Sequence, residues 1–492
     1  MKVILAGFNV DVDALKQRGK KNIILTPESI SAAYARISRS PKSVEELRED
    51  ARREVNKARL SNKRIIFGMG HHSVAEHAVF NFDVIGVSRL AVEELESYRL
   101  CSYTEKSQRY VTLKGDFVIP ERLKNSPLED DFTSMVELQN KFYKHLFTKI
   151  TQYNIDHAEH PPKSRREYRL LENLAKEDAR YILPLATQTQ VGATINARNL
   201  ELMIRRFASS GLEEIKTLGR KFFELVKDIA PSIVLFCSAN DYDQKTYPEL
   251  RRYARKYSLK STGSRKTRGV RLVDYTRDAD DKILAALLFR SSGMDYAACR
   301  RTVRKMTRKE KNELFKKACQ YVELYDTMLR EFEYARLSCE MVISAAAFGQ
   351  MKRHRLATIV CQGYDPNLGV TIPDSVKKIG EAKRFTEIVK RTEMVYKKIE
   401  RRFPGIGRYI LTNAHQKRIL MAMNLRELYH ISRLREDPTA QWDIRGKVKE
   451  ISALAKKIMP ITTQLLGGKE EYPLLYKKLF GKFPRVKKVP EL

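Results

Sequence analysis

The alternation of apolar and polar positions is clearest at "AVFNFDVIG" (78–86). Phe80, Phe82 and Val84 fall on one side and Asn81 and Asp83 on the other, which predicts a half-buried strand. Ser88 follows as an N-cap, and helical spacing runs from it through Tyr98. Downstream, "MVISAAAFGQMKRHRL" (341–356) reads the same way, with Ser344 capping a helix through Arg355. Gln350, Arg353 and His354 stand there at i, i+3 and i+4, so the helical reading places them on one face. Segments 196–206 and 424–435 also read as helices. Ser43 and Glu46 form a capping box that opens a charged helix over 44–60, and Ser73 with Glu76 predicts a second box. "TEKSQRY" (104–110) carries neither period and is expected to be a loop. The opening "MKVILAGFNVDVD" meets Asp11 and Asp13 after a short apolar run, so it reads as a first strand and not as a signal peptide.

The chain also repeats itself. "ARYILPLATQTQVGATINARNLEL" (179–202) aligns with "GRYILTNAHQKRILMAMNLRELYH" (407–430) at an offset of 408 − 180 = 228. "VIGVSRLAVEELESYRL" (84–100) aligns with 341–356 at 354 − 98 = 256. The unequal offsets imply an insertion in the first copy, and the polar stretch 163–178 suits it. "RKYSLKSTGSRKTRG" (255–269) is basic, Ser/Gly-rich and without apolar period, which marks the seam. A second beginning follows at "VRLVDYTRDADDKILAALLFRSS" (270–292). The expected organisation is therefore two domains, 1–258 and 259–492, each mixing strands and helices, from duplication of a unit that pairs with itself.

Composition narrows the partners. The 93 Lys and Arg outnumber the 60 Asp and Glu, giving a net charge of +33. Anionic partners follow, whether nucleotide, nucleic acid or acidic membrane face, although a basic surface also serves solubility or heat tolerance. Nucleic acid is thus open on charge alone, and no RNA-recognition, zinc-finger or helix-turn-helix fingerprint occurs. No apolar run reaches membrane-spanning length, so no membrane role is expected. The 6 cysteines show no Cys-x-x-Cys spacing and read as reduced thiols of a cytoplasmic protein. His71, His72 and His77 in "HHSVAEH" match no zinc-helix pattern, so no metal is expected.

Candidate chemistry lies in two places. Gln350, Arg353 and His354 offer three kinds of donor after a strand, and a guanidinium grips phosphate or a base edge with two prongs where lysine cannot. In "TEKSQRY", backbone amides with Ser107, Gln108 and Arg109 can cradle a phosphate, while Glu105 can accept from a sugar hydroxyl or ring N–H.

Together these residues resemble the flavin-dependent thymidylate synthases. That family's signature is Arg-His-Arg, then seven residues, then Ser, with Gln three residues before the first Arg and Arg-Tyr two residues after the Ser. "ARIS" (35–38), "GHHSVAEH" (70–77), "ARYILPL" (179–185), "NARNL" (196–200) and Arg435 with "AQWDIR" (440–445) are similar to further family features, in order along both copies. The copies depart from the signature in complementary ways. The first has Ser97, Tyr98 and Arg99 in place of Arg-His-Arg and Glu94 in place of Gln, yet keeps Glu105, Ser107, Arg109 and Tyr110. The second keeps Gln350, Arg353, His354 and Arg355 but has Gly363 where Ser belongs.

The resemblance implies two tandem α/β domains, each a mainly antiparallel sheet packed with helices. It implies methylation of dUMP to dTMP with methylenetetrahydrofolate, FAD and NADPH, at composite sites where the two copies meet, in a homodimer of two-domain chains. By position, Gln350, Arg353, Glu105, Ser107, Gln108, Arg109 and Arg180 or Arg408 would hold dUMP. Ser38, His71, Arg99, Arg353, His354, Arg355 and the pairs Asn196/Arg198 and Asn424/Arg426 would serve FAD. Arg435 would polarise the uracil ring, whereas Arg206 fits that role in the first copy only with a one-residue slip. Two further readings stay open: a homologue that kept a nucleotide or flavin pocket without synthase activity, and one that binds nucleic acid.

Overall fold

The computed structural model describes residues 1–17, 24–258 and 269–485. The chain forms two compact units that are not contiguous in sequence: residues 1–264 with 373–412, and residues 265–372 with 413–492.

The first unit holds β1 (Lys2–Phe8), β2 (Val79–Ser88), β3 (Ser102–Glu105) and β4 (Gln188–Asn196) in one sheet, ordered β1-β2-β4-β3 with antiparallel neighbours. β2 is the alternating segment: Phe80, Phe82 and Val84 are buried, Asn81 and Asp83 exposed. The Phe82 ring meets Phe222 of helix Glu213–Val226 at 4.6 Å, so that helix covers the apolar face. Gly86 has φ 72° where the β2/β4 register shifts, and the bulge turns Val87 inward beside the capping Ser88.

The second unit repeats the plan. β5 (Val270–Tyr275), β6 (Arg336–Ser344), β7 (Thr358–Tyr364) and β8 (Gln416–Asn424) run β5-β6-β8-β7, again antiparallel. Register is repeated too, with Ser88 opposite Gln188 and Ser344 opposite Gln416. Leu337, Cys339, Met341 and Ile343 of β6 share a core with Ile444, Val448 and Ile451 of helix Trp442–Ile458.

Segment 373–412 comes from the second repeat and belongs to the first unit. Its helix Ala382–Arg402 packs on helix Glu129–Asp156, with Phe385 against Phe142 at 6.3 Å and Gln139 Nε2 donating to Thr392 Oγ1 at 2.8 Å. Beyond it, Leu185 N–H donates to Leu411 O at 2.7 Å, and Pro184 forms a β-bridge with Thr412. Those last two positions are equivalent at the 228 offset, so each faces its own counterpart, the local geometry of a self-complementary interface.

Several local expectations are corrected. The 44–60 helix breaks at Glu54 (φ −122°, ψ 62°) into Val44–Arg53 and Val55–Asn62, though the Ser43–Glu46 box is present. The Ser73–Glu76 box is absent: His72–His77 is a 3₁₀ turn, and the Glu76 carboxylate pairs with Arg198 at 2.5 Å. The polar insertion forms helix Arg165–Ala179, capped by Ser164. At the seam, 255–258 finish helix Asp241–Ser258, and 259–268 lie outside the described residues.

Candidate functional site

In the second unit the site grows from one capped turn. Ser344 Oγ accepts from Ala347 N–H at 3.1 Å and donates to Asp443 Oδ2 at 2.5 Å, fixing the start of helix Ala345–Met351. That helix stops before the arginines, so Gln350, Arg353 and His354 do not share a helical face. Arg353 N–H donates to Gln350 O at 3.3 Å and His354 N–H to Met351 O at 3.1 Å, both three-residue turns. The reason is downstream: β7 starts at Thr358, and the chain tightens to reverse into it. The turn exposes Arg353 and Arg355 and drives His354 inward to 4% exposure.

Around His354 a polar cluster closes. Its Nε2 accepts from Arg435 Nε–H at 2.9 Å, so the ring proton sits on Nδ1. Arg435 Nη1 lies 3.5 Å from Gln350 Oε1, and the buried Gln350 Nε2 has no partner. Glu427 Oε1 is 3.9 Å from His354 Nδ1, and the His430 ring stands edge-on at 6.0 Å. Arg435, His430 and Glu427 all ride helix Leu425–Arg435, which Asn424 caps. Burial, then the Arg435 and His430 charges, pull His354 down to about 3. Burial pushes Glu427 up to about 7 against the pull of Arg426. A neutral imidazole therefore aims its lone pair at a guanidinium and holds it in place.

These two groups give a pH signature. His354 is depressed, so its contribution is lost on acidification from about 6.5 towards 3. Glu427 is raised, so its contribution is present below about 4.3 and lost as pH rises through about 7. Between about 4.5 and 6.5 the two slopes offset. Glu427→Gln removes one of them. Urea denaturation across that range is expected to show E427Q losing up to about 1.4 kcal/mol more per unit of acidification than the parent.

In the first unit the 104–110 segment starts as strand and then turns. Glu105 ends β3, buried, and meets Arg89 Nη1 at 2.5 Å. Ser107 Oγ accepts from Arg109 N–H at 3.1 Å, which shapes the turn, and the Gln108 side chain is buried. Arg109 pairs with Glu177, and Arg180 Nε–H donates to Glu177 O at 3.2 Å. Burial lowers the Arg180 pKa, and the Arg109 and Arg89 charges lower it further. At Arg89 burial opposes the charge, but Glu105 outweighs it and raises the pKa. Glu105, Arg109 and Arg180 thus belong to one cationic cluster, linked through Arg89 and Glu177, with Ser107 and Gln108 on the turn between Glu105 and Arg109. Its other members, Arg89 and Glu177, were not singled out from sequence, and Arg89 is the charged residue inside apolar "VSRLAV".

The first repeat's version of the His354 corner is rebuilt around an aromatic pair. Tyr98, aligned with His354, packs edge-on against Phe207, aligned with Arg435, at 5.7 Å. Arg206 lies 3.6 Å from Asp243. Glu94, aligned with Gln350, accepts from Ser210 Oγ at 2.9 Å. Burial raises the Glu94 pKa, while Ser210 and the Arg408 charge oppose it. Arg408 itself donates through Nε–H to Gly405 O at 3.1 Å.

The remaining candidates are spread out. Ser38, His71 and Arg99 are exposed. Asn196 and Asn424 use their side-chain oxygens to cap helices, leaving their amide nitrogens for a ligand. Arg198 is held by Glu76, and Arg426 by Met328 O, Glu333 and Thr327. Lys417 places its ammonium 3.9 Å from the Phe348 ring centroid and 4.1 Å from that of Tyr364, pinning the end of β7 beside Gly363. Among the described residues no group of His, Cys, Asp or Glu is placed to hold a metal, and no helix is long and apolar enough to cross a membrane.

Fold and site define a tandem-duplicated α/β protein with one intact arginine–histidine corner and one rebuilt as an aromatic pair. The family model described as "Thymidylate synthase complementing protein" matches residues 23–232 and again 271–461, and the chain belongs to this family. It is 33% identical over 211 residues to a flavin-dependent thymidylate synthase of Clostridium tetani, covering 42% of this chain and 80% of that protein. A UPF0159 protein of Thermoplasma acidophilum is 23% identical over 463 residues, covering 84% of this chain and 89% of its own. A solved flavin-dependent thymidylate synthase of Helicobacter pylori, complexed with FAD and dUMP, is 20% identical, spans 48% of this chain and 100% of its own, and has a TM-score of 0.32.

Proposed function

We propose that this chain is a flavin-dependent thymidylate synthase-like enzyme that methylates dUMP to dTMP with methylenetetrahydrofolate and NADPH, built from repeat domains 1–258 and 259–492. The observation that carries the reading is the Gln350–His354–Arg435 cluster, in which Gln350 and His354 match the family signature and Arg435 a further family feature. Arg435, held by the neutral His354, is a fixed donor for negative charge on a uracil oxygen, where a preorganised guanidinium acts strongly. The unpartnered Gln350 amide supplies a donor for a pyrimidine carbonyl. In the first unit, Ser107, Arg109 and Arg180 bring hydroxyl and guanidinium donors suited to a nucleotide phosphate.

The residues also fit a flavin dinucleotide. Arg353 and Arg355 expose two guanidiniums on one turn, a donor set suited to a diphosphate, and the free amide nitrogens of the capping asparagines add neutral donors. When bound, FAD would supply the reducing equivalents. The chain's own residues position the nucleotide, and the mechanism needs no enzyme nucleophile.

The test is thymidine-independent growth of a synthase-deficient host. The parent chain is expected to restore growth and to purify with a flavin spectrum; Arg353→Ala and Ser107→Ala are expected to abolish growth at equal expression. A flavin-loaded protein that gives no growth would overturn the synthase reading in favour of a binding homologue.

A further inference from the structure

Both matched family segments stop short of a helix that carries the same start. Helix Asp241–Ser258 contains Tyr247, Pro248, Glu249 and Leu250; helix Glu471–Phe480 contains Tyr472, Pro473, Leu474 and Leu475. The second helix is folded into its unit. Tyr472 is fully buried and Tyr476 is 3% exposed, and their hydroxyls donate to Val322 O at 2.6 Å and to Gln320 O. Leu475, Leu479 and Phe480 pack on the same core.

The first helix cannot dock that way. Aligned on Tyr-Pro, the places of Tyr476 and Phe480 are taken by Arg251 and Arg255. Two guanidinium charges on the inward face would have to be desolvated to bury it, so the face stays out. Every residue from Tyr247 to Tyr257 is exposed, with Tyr247 at 69% and Tyr257 at 61%. Leu250, Tyr253 and Tyr257 follow Tyr247 at spacings of three and four, making one apolar arc edged by Arg251 and Arg255. The Tyr253 and Tyr257 rings lie 5.5 Å apart with hydroxyls at 3.1 Å, and Lys256 Nζ sits 5.5 Å from the Tyr253 ring centroid. Asp243 anchors the helix start, accepting from Arg205 Nε–H at 2.8 Å.

From this contrast we infer that helix Asp241–Ser258 is a binding site for single-stranded RNA. Exposed tyrosine rings stack on bases of any sequence, worth about 1–3 kcal/mol per base, and flanking arginines meet phosphates. Charge complementarity favours a polyanion, because Arg251, Arg252, Arg255 and Lys256 crowd the exposed C-terminal half of the helix. The paired phenol hydroxyls suit the ribose 2′-hydroxyl, which DNA lacks.

Fluorescence anisotropy of the full chain with a labelled mixed-sequence single-stranded RNA tests this. Binding is expected to weaken steeply with salt, with a log–log slope of about −0.7 per phosphate engaged. The triple variant Y247A/Y253A/Y257A and the charge variant R251E/R255E are each expected to weaken it about tenfold or more, with unchanged circular dichroism. R301E/R304E, which reverses exposed charge on helix Tyr296–Lys305, is expected to leave binding intact, and DNA of the same sequence to bind several-fold more weakly. Parent-level RNA binding by the tyrosine and arginine variants would overturn the assignment. So would equal weakening by R301E/R304E, equal affinity for DNA, or a chain dimer that the tyrosine variant dissociates without any RNA binding.

Discussion

Arg435→Ala is expected to lower kcat for dTMP formation by about 10²–10³-fold, the usual effect of removing one preorganised donor from a developing oxyanion. KM for dUMP should move far less, because the contact strengthens as charge builds on the ring. The structure says why alanine cannot be compensated: Arg435 is oriented by His354 Nε2 at 2.9 Å, and no other side chain donates to that nitrogen among the described residues. Arg435→Lys keeps the charge but loses both the Nε–H to His354 and the planar fork, so an intermediate loss is expected. Leaving His354 Nε2 without its donor costs about 1–3 kcal/mol of stability, so thermal denaturation must accompany the kinetics. A folded R435A enzyme with parental kcat would remove Arg435 from charge stabilisation.

Arg89→Ala is expected to be the most destabilising single change in the first unit, by about 3–5 kcal/mol, because it removes the cation paired with the buried Glu105 carboxylate. The first unit's thermal transition should fall by something on the order of 10 °C. The double variant R89M/E105L replaces the ion pair with apolar side chains of similar reach and is expected to recover most of the loss. If R89A melts with the parent, Glu105 is taking up a proton or reaching water, and the pair is not what holds the end of β3 to the start of helix Arg89–Leu95.

Much of the architecture was legible from the chain alone. The Phe80–Phe82–Val84 alternation gave β2, and the Ser88 and Ser344 caps marked both strand-to-helix corners. Self-alignment anticipated two copies of one mixed strand-and-helix unit, and the sheets β1-β2-β4-β3 and β5-β6-β8-β7 repeat a single strand order. Arg435 was marked by resemblance and by its distance from Asn424, and it lies on the helix that Asn424 caps.

What the chain determined by itself was whatever is decided within a few residues: period, caps, turn residues and the repeat. Only the tertiary structure decided the rest. It ended the Ala345–Met351 helix early, because β7 demanded a reversal that no local signal announces. It assigned segment 373–412 to the unit of the other repeat, and it matched Arg89 with Glu105 and His354 with Glu427 and Arg435. It left one Tyr-Pro helix outside while its sister is buried. Partners of a charge lie tens to hundreds of residues away in sequence, and burial sets both whom it meets and whether it stays charged; local pattern carries neither quantity.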